Sequence, residues 1–99
     1  MPLSEWLDRH TSQAPAALRI RVQDFALAAA GESRASQLAA AGQAALERVL
    51  AHSGDRSAAL DLLAADALIT LALQAQAQDA PERLEEFATA VLRTGRRDV

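Results

Sequence analysis

A long apolar run in the middle of the chain constrains the fold more than any other feature. Between residues 58 and 73, Asp61, Asp66 and Thr70 are the only polar side chains. Alanine and leucine fill the rest of the run, and both are strong helix formers. With no glycine or proline to interrupt it, the pattern predicts a central helix at about residues 56–78.

The central helix is apolar on every side. At helical spacing Leu62 and Ile69 fall on one side, and Leu60 and Leu71 fall almost opposite. A helix of this kind is enclosed either by protein or by lipid. The run is shorter than the ~20 residues of a membrane span, and it carries two carboxylates. We therefore predict that the other helices surround it.

Asp66 and Thr70 form a candidate buried polar site on this helix. Asp66 projects between leucines, and burying a carboxylate without a partner costs on the order of several kcal/mol of folding free energy. It could serve as a ligand or as a proton-handling group. The favoured interpretation is structural, with Asp66 bonded to an arginine of a neighbouring helix, bonded to Thr70 one turn on, or left at the end of the bundle. Asp61 lies on a different side and is expected to be solvated.

Capping signals predict four further helices. They are expected at about residues 4–10, 15–30, 34–52 and 81–93. The expected N-caps are Ser4, Ser33, Asp55 and Asp79, while Gly31 and Gly54 follow helix ends. The predicted fold class is all-α, with residues 1–99 forming a single domain. It is a compact bundle of four main helices plus a short N-terminal helix, and residues 94–99 form a short mobile tail.

Two residues carry specific packing predictions. Trp6 is expected to anchor the short N-terminal helix on the bundle, with an interface hot spot as the alternative. Gly42 lies in the middle of an apolar helix face, where glycine costs about 1 kcal/mol relative to alanine. Its position therefore predicts the close approach of another helix.

The helix at 15–30 carries two apolar stripes. Leu18, Val22 and Phe25 belong to the stronger stripe. One of the two stripes can face the central helix, and the other must meet another helix of the same chain or a partner. A second stripe lies more than about 100° away. Its members, a candidate partner-binding surface, are Ala16, Ile20 and Leu27.

The residue types present give no support to catalysis or metal binding. The chain has no cysteine, and its two histidines, His10 and His52, are far apart without a ligand pattern. No catalytic, cofactor-binding or metal-binding residue is predicted, and the protein is expected not to be an enzyme. The N-terminus lacks a basic region followed by an apolar run, so the expected location is cytoplasmic.

Three functions remain open at this level. The leading hypothesis is a self-associating protein–protein interaction module, a homodimer or a partner of another helical protein, because the apolar surface exceeds what one small chain can bury. The alternative is a carrier of a small apolar ligand in an Ala/Leu-lined cavity near Asp66. A helix-turn-helix-like DNA-binding regulator around residues 31–37 is a further alternative. The net charge of −3 disfavours nucleic acid.

Overall fold

Helices account for most of the chain in a computed structural model, which describes residues 1–52 and 54–96, without the side chains of residues 94–96. The elements are α1 (Leu3–His10), α2 (Ala16–Ala28), α3 (Arg34–Ala51), α4 (Arg56–Asp79), a 3₁₀ turn (Pro81–Arg83) and α5 (Leu84–Arg96). The described residues include no strand, so the all-α class is confirmed.

Two of the predicted N-caps are confirmed by side-chain hydrogen bonds. The Ser33 hydroxyl accepts a hydrogen bond from the Ser36 backbone N–H at 3.0 Å and starts α3. The Asp55 carboxylate accepts one from the Ala58 backbone N–H at 2.8 Å and starts α4. Gly54, just before this cap, has a φ of 98°, the left-handed conformation that favours glycine. The break between α3 and α4 is therefore encoded locally.

The other two predicted N-caps are wrong. Helix α1 begins one residue before Ser4, after the extended backbone of Pro2, so Ser4 lies inside the helix. Asp79 is the last residue of α4 rather than a cap of the following helix. The chain re-enters helical structure through the 3₁₀ turn because Pro81, with its fixed φ, suits the first turn.

Two predicted helix ends are also wrong. Helix α2 stops at Ala28, ahead of Gly31, because the backbone of Ala29 is extended. Helix α5 continues past the expected stop at residues 94–95 and ends at Arg96. Residues 97–99 of the expected tail lie outside the described residues.

The cap assignment makes a direct prediction. Asp55→Ala should lower the free energy of unfolding by about 1 kcal/mol, because it leaves an N-terminal N–H of α4 without its partner. Asp79→Ala is the matched control, since Asp79 sits at the negative end of the same helix and caps nothing. Urea denaturation of both variants checks this. Equal losses in the two variants would contradict the assignment.

Alanines mark the closest helix packing. Helices α3 and α4 run antiparallel, since Gly42 of α3 lies against Ile69 of α4 and Arg48 lies further along α3 beside Asp61. The face of α4 turned toward α2 and α3 is buried and consists mostly of small residues, together with Leu68 and Leu71. Its buried alanines are Ala58, Ala64, Ala65, Ala72 and Ala75. Small side chains let the helix axes approach closely, so this face forms the centre of the core.

The opposite face of α4 is not covered by the single chain. Leu62 and Leu63 are 51% and 55% exposed. Asp66 and Thr70 follow on the same side and are also exposed. The prediction that other helices surround α4 is wrong for the single chain, because α2 and α3 both pack on its alanine face. Helix α5 contacts α4, and no residue of α5 between positions 84 and 93 is fully buried.

Trp6 anchors α1, as predicted. Its side chain is buried in the core, and its Nε1–H donates to Gln78 Oε1 of α4 at 3.3 Å. The His10 ring stacks on it with 3.9 Å between centroids. The Arg34 guanidinium lies 5.4 Å from the ring centroid. These contacts connect α1 to α3 and α4 through one side chain.

Candidate functional site

A carboxylate held by two arginines lies among the three main helices. Asp61 of α4 is 1% exposed. Its Oδ1 accepts a hydrogen bond from Arg21 of α2. Its Oδ2 pairs with Nε of Arg48 of α3 at 3.2 Å. Arg21 also donates to Ser57 Oγ at 3.4 Å. One carboxylate therefore joins α2, α3 and α4.

This arrangement reverses the predicted roles of the two aspartates. Asp61, expected in solvent, is the buried one, whereas Asp66, proposed as a buried polar site with Thr70, is exposed, as is Thr70. The reason is the orientation of α4. Its alanine-rich face is buried, and Asp61 lies on that face. In the sequence Asp61 shares its face with Ala58, Ala65 and other small residues, but this pattern alone does not show which side of α4 is buried.

The chemistry open to Asp61 is structural. Both carboxylate oxygens are engaged by guanidinium groups, which are permanently charged and cannot take up a further proton. A general base needs a free lone pair facing its substrate. The Asp61 cluster therefore links α2, α3 and α4 through both oxygens of one carboxylate.

Asp66 and Thr70 border an open depression of ≈ 620 Å³ at the surface. The lining also includes the end of α1 and the connection that follows it, residues 9–14. Most of its lining residues are polar, including Arg9, His10 and Gln74, but most of the exposed lining area is apolar. The two predicted residues thus lie together, at an open surface depression rather than in an enclosed Ala/Leu-lined cavity.

The second stripe of α2 faces outward. Ile20 and Leu27 are 61% and 56% exposed, and Ala16 is exposed as well. Ala16 and Ile20 line a shallow depression of ≈ 400 Å³ beside Asp8 of α1. Leu27 lies two turns further along the helix, on the same side. These three residues form the outer α2 face.

A second apolar surface lies where α3 ends and α4 begins. Leu50 of α3 is 74% exposed, the highest value among the large apolar residues that the structure describes. It lies at the level of the half of α4 that carries Leu62 and Leu63, because Arg48 of the same turn of α3 pairs with Asp61. This surface was missed at the sequence level because leucine usually marks the buried side of a helix.

Residues 1–52 and 54–96 contain no group of three or more His, Asp or Glu side chains that could hold a metal ion. Helix α4 is long and apolar enough to cross a membrane by length and composition. That is weak evidence for a span, since 44% of its most apolar part is buried inside the fold, as in the core helix of a soluble protein. No protein-family model, curated protein or solved structure matches the chain.

Proposed function

We propose that this protein is a non-enzymatic, self-associating protein–protein interaction module that acts in the cytoplasm. The observation that carries the proposal is the amount of large apolar surface left in water. Within the described part of the chain, at least seven large apolar side chains are more than half exposed: Met1, Ile20, Leu27, Leu50, Leu62, Leu63 and Leu92. Ile20 and Leu27 share one side of α2, and Leu62 and Leu63 are neighbours on α4; apolar groups exposed together in this way are typical of interaction surfaces.

The proposal includes the arrangement of the helices. Helices α2, α3, α4 and α5 form a four-helix bundle in which α5 is loosely docked and α1 is held by Trp6. The outer α2 face, with Ala16, Ile20 and Leu27, and the surface around Leu50 and Leu62 are the two proposed contact surfaces. Each is apolar and accessible, and each lies on a long helix that the core holds in place.

Measurement of molar mass in solution tests self-association. We expect light scattering at about 10–100 µM to give a mass well above the 10.5 kDa of one chain, approaching twice that value at the upper end. Burial of apolar surface on both copies supplies the driving force. A mass of 10.5 kDa throughout this range would contradict the proposal.

Of the alternatives, the ligand carrier is supported by the depression beside Asp66. That depression is open, whereas a pocket for an apolar ligand encloses most of the ligand surface, so the interaction module is preferred. DNA binding is supported less. Arg34 lies against Trp6, and Gln37 donates to the Ala26 carbonyl at 2.9 Å, so both residues already serve the fold. A regulator of this type would need them at the DNA surface.

A further inference from the structure

The exposed side of α4 carries a pattern that is complementary to itself. Arg56, Ala59, Leu63 and Asp66 are all exposed and lie within about 80° of one another around the helix. We call these four residues the outer α4 stripe. Their spacing of three and four residues is that of a helix–helix seam. The stripe has a cation at one end, a carboxylate at the other and apolar residues between them.

The two charges of the stripe have no partner within the described chain. Neither the Arg56 guanidinium nor the Asp66 carboxylate forms an ion pair or side-chain hydrogen bond with another described residue. Each is therefore available to a second molecule. By contrast, the one carboxylate on the inner side of the helix, Asp61, is fully engaged.

The order of residues in the stripe is symmetric about the level of residue 61. Arg56 and Asp66 are equally distant from that level in opposite directions, as are Ala59 and Leu63. If two copies of α4 lie antiparallel with a two-fold axis at this level, Arg56 meets Asp66 of the second copy twice. Ala59 then meets Leu63 of the second copy, also twice. An isologous interface requires this reciprocity.

We propose that two copies of this chain form a two-fold dimer through the outer α4 stripe, with antiparallel α4 helices and two reciprocal Arg56–Asp66 ion pairs. The inference rests on the proposed function and names the surface and the partner. The ion pairs lie about 15 Å apart along the helix and frame the apolar centre. A parallel arrangement would instead place Arg56 against Arg56 and Asp66 against Asp66, which repel.

The polarity of α4 supports this register. The exposed half near Arg56 is apolar, with Leu62 and Leu63, and Leu50 of α3 adjoins it. The other half exposes Thr70 and Gln74. A dimer centred at residue 61 covers the apolar half and leaves the polar half in water. Leu50 and Leu62 extend the contact sideways, toward the roughly 800 Å² per partner of a stable interface.

Charge reversal tests the pairing without disturbing the fold. We expect Arg56→Asp and Asp66→Arg each to weaken dimerisation by roughly 10- to 100-fold, because two attractive contacts become repulsive. Both positions are exposed, and a carboxylate at the first residue of α4 suits the helix dipole. Circular dichroism should therefore show both variants folded. Glu85→Arg on α5, which changes the net charge as Asp66→Arg does, is the control and should dimerise like the wild type.

Mixing the two variants separates pairing from a general charge effect. The Arg56→Asp chain has carboxylates at both ends of the stripe, and the Asp66→Arg chain has guanidiniums at both ends. An equimolar mixture should therefore form a heterodimer at concentrations where each variant alone is monomeric. Sedimentation equilibrium of the two variants and of their mixture measures this.

Each outcome of this experiment either supports the dimer through the outer α4 stripe or overturns it. If the wild type dimerises and the reversals change nothing, or if the mixture stays monomeric, the inference is overturned while self-association stands. If the wild type is monomeric throughout, self-association fails as well. A monomeric wild type that floats with phosphatidylcholine vesicles would assign the stripe to a membrane and overturn the inference.

Discussion

Asp61→Asn should lower the free energy of unfolding by about 3 kcal/mol, because it leaves two guanidiniums facing a neutral amide in the core. For a domain of this size the melting temperature should fall by ~15 °C. Arg21 and Arg48 keep partial access to water, which limits the loss. Thermal denaturation at one fixed protein concentration measures the effect.

Asp66→Asn is the matched control for this prediction. It makes the same chemical change on the same helix, at an exposed position whose side chain pairs with no described residue. Its effect on folding should stay within about 0.5 kcal/mol at a protein concentration too low for dimers to form. The reverse ranking, with Asp66 the more sensitive position, would mean that α4 turns its other side to the core.

Gly42→Leu should destabilise the protein by about 2 kcal/mol, with a fall of ~10 °C in melting temperature. A Cβ atom at this position would lie 2.7 Å from Ile69 Cδ1 and 3.0 Å from Ile69 Cγ1. A single methyl group can be accommodated if the end of the Ile69 side chain moves. A leucine cannot, because Ala65 closes the space behind it and the crossing of α3 and α4 must widen.

A double variant isolates the cause of that loss. Gly42→Leu should cost less in a chain that already carries Ile69→Ala, since the truncated side chain frees the space that leucine needs. Unfolding free energies of the four chains in this cycle check the prediction. Equal costs in the two backgrounds, or an unchanged melting temperature for Gly42→Leu, would show that α3 and α4 are not in close contact here.

The number of helices and several of their ends could be read from the sequence because the signals are local. Ser33 and Asp55 cap their helices through neighbouring backbone groups, and Trp6 is buried as its size suggests. At the wrongly predicted helix boundaries, the chain adopts another local arrangement that also satisfies the backbone. Asp79 has the residue pattern of a cap, but it is included in α4, which continues one residue beyond the predicted end.

The orientation of α4 could not be predicted, because a helix that is apolar all round has no amphipathic signal. Leu62 and Leu63 have more apolar area than the alanines opposite them, so the sequence favoured burial of the face that the structure leaves exposed. Close packing of α3 against α4 rewards small side chains instead. The position of Asp61 between Arg21 and Arg48 depends on contacts between three helices, which no local pattern encodes.

The reaction rate of a single introduced cysteine measures how exposed each side of α4 is, since the chain has no cysteine of its own. Leu63→Cys places a thiol in the outer α4 stripe, and Ala64→Cys places one on the buried face. We expect the thiol at position 63 to react quickly in dilute solution and more slowly as concentration rises and dimers form. The thiol at position 64 should react slowly at every concentration. Fast reaction at position 64 would contradict the orientation of α4 on which the proposed dimer depends. A rate at position 63 that does not change with protein concentration would contradict the dimer itself.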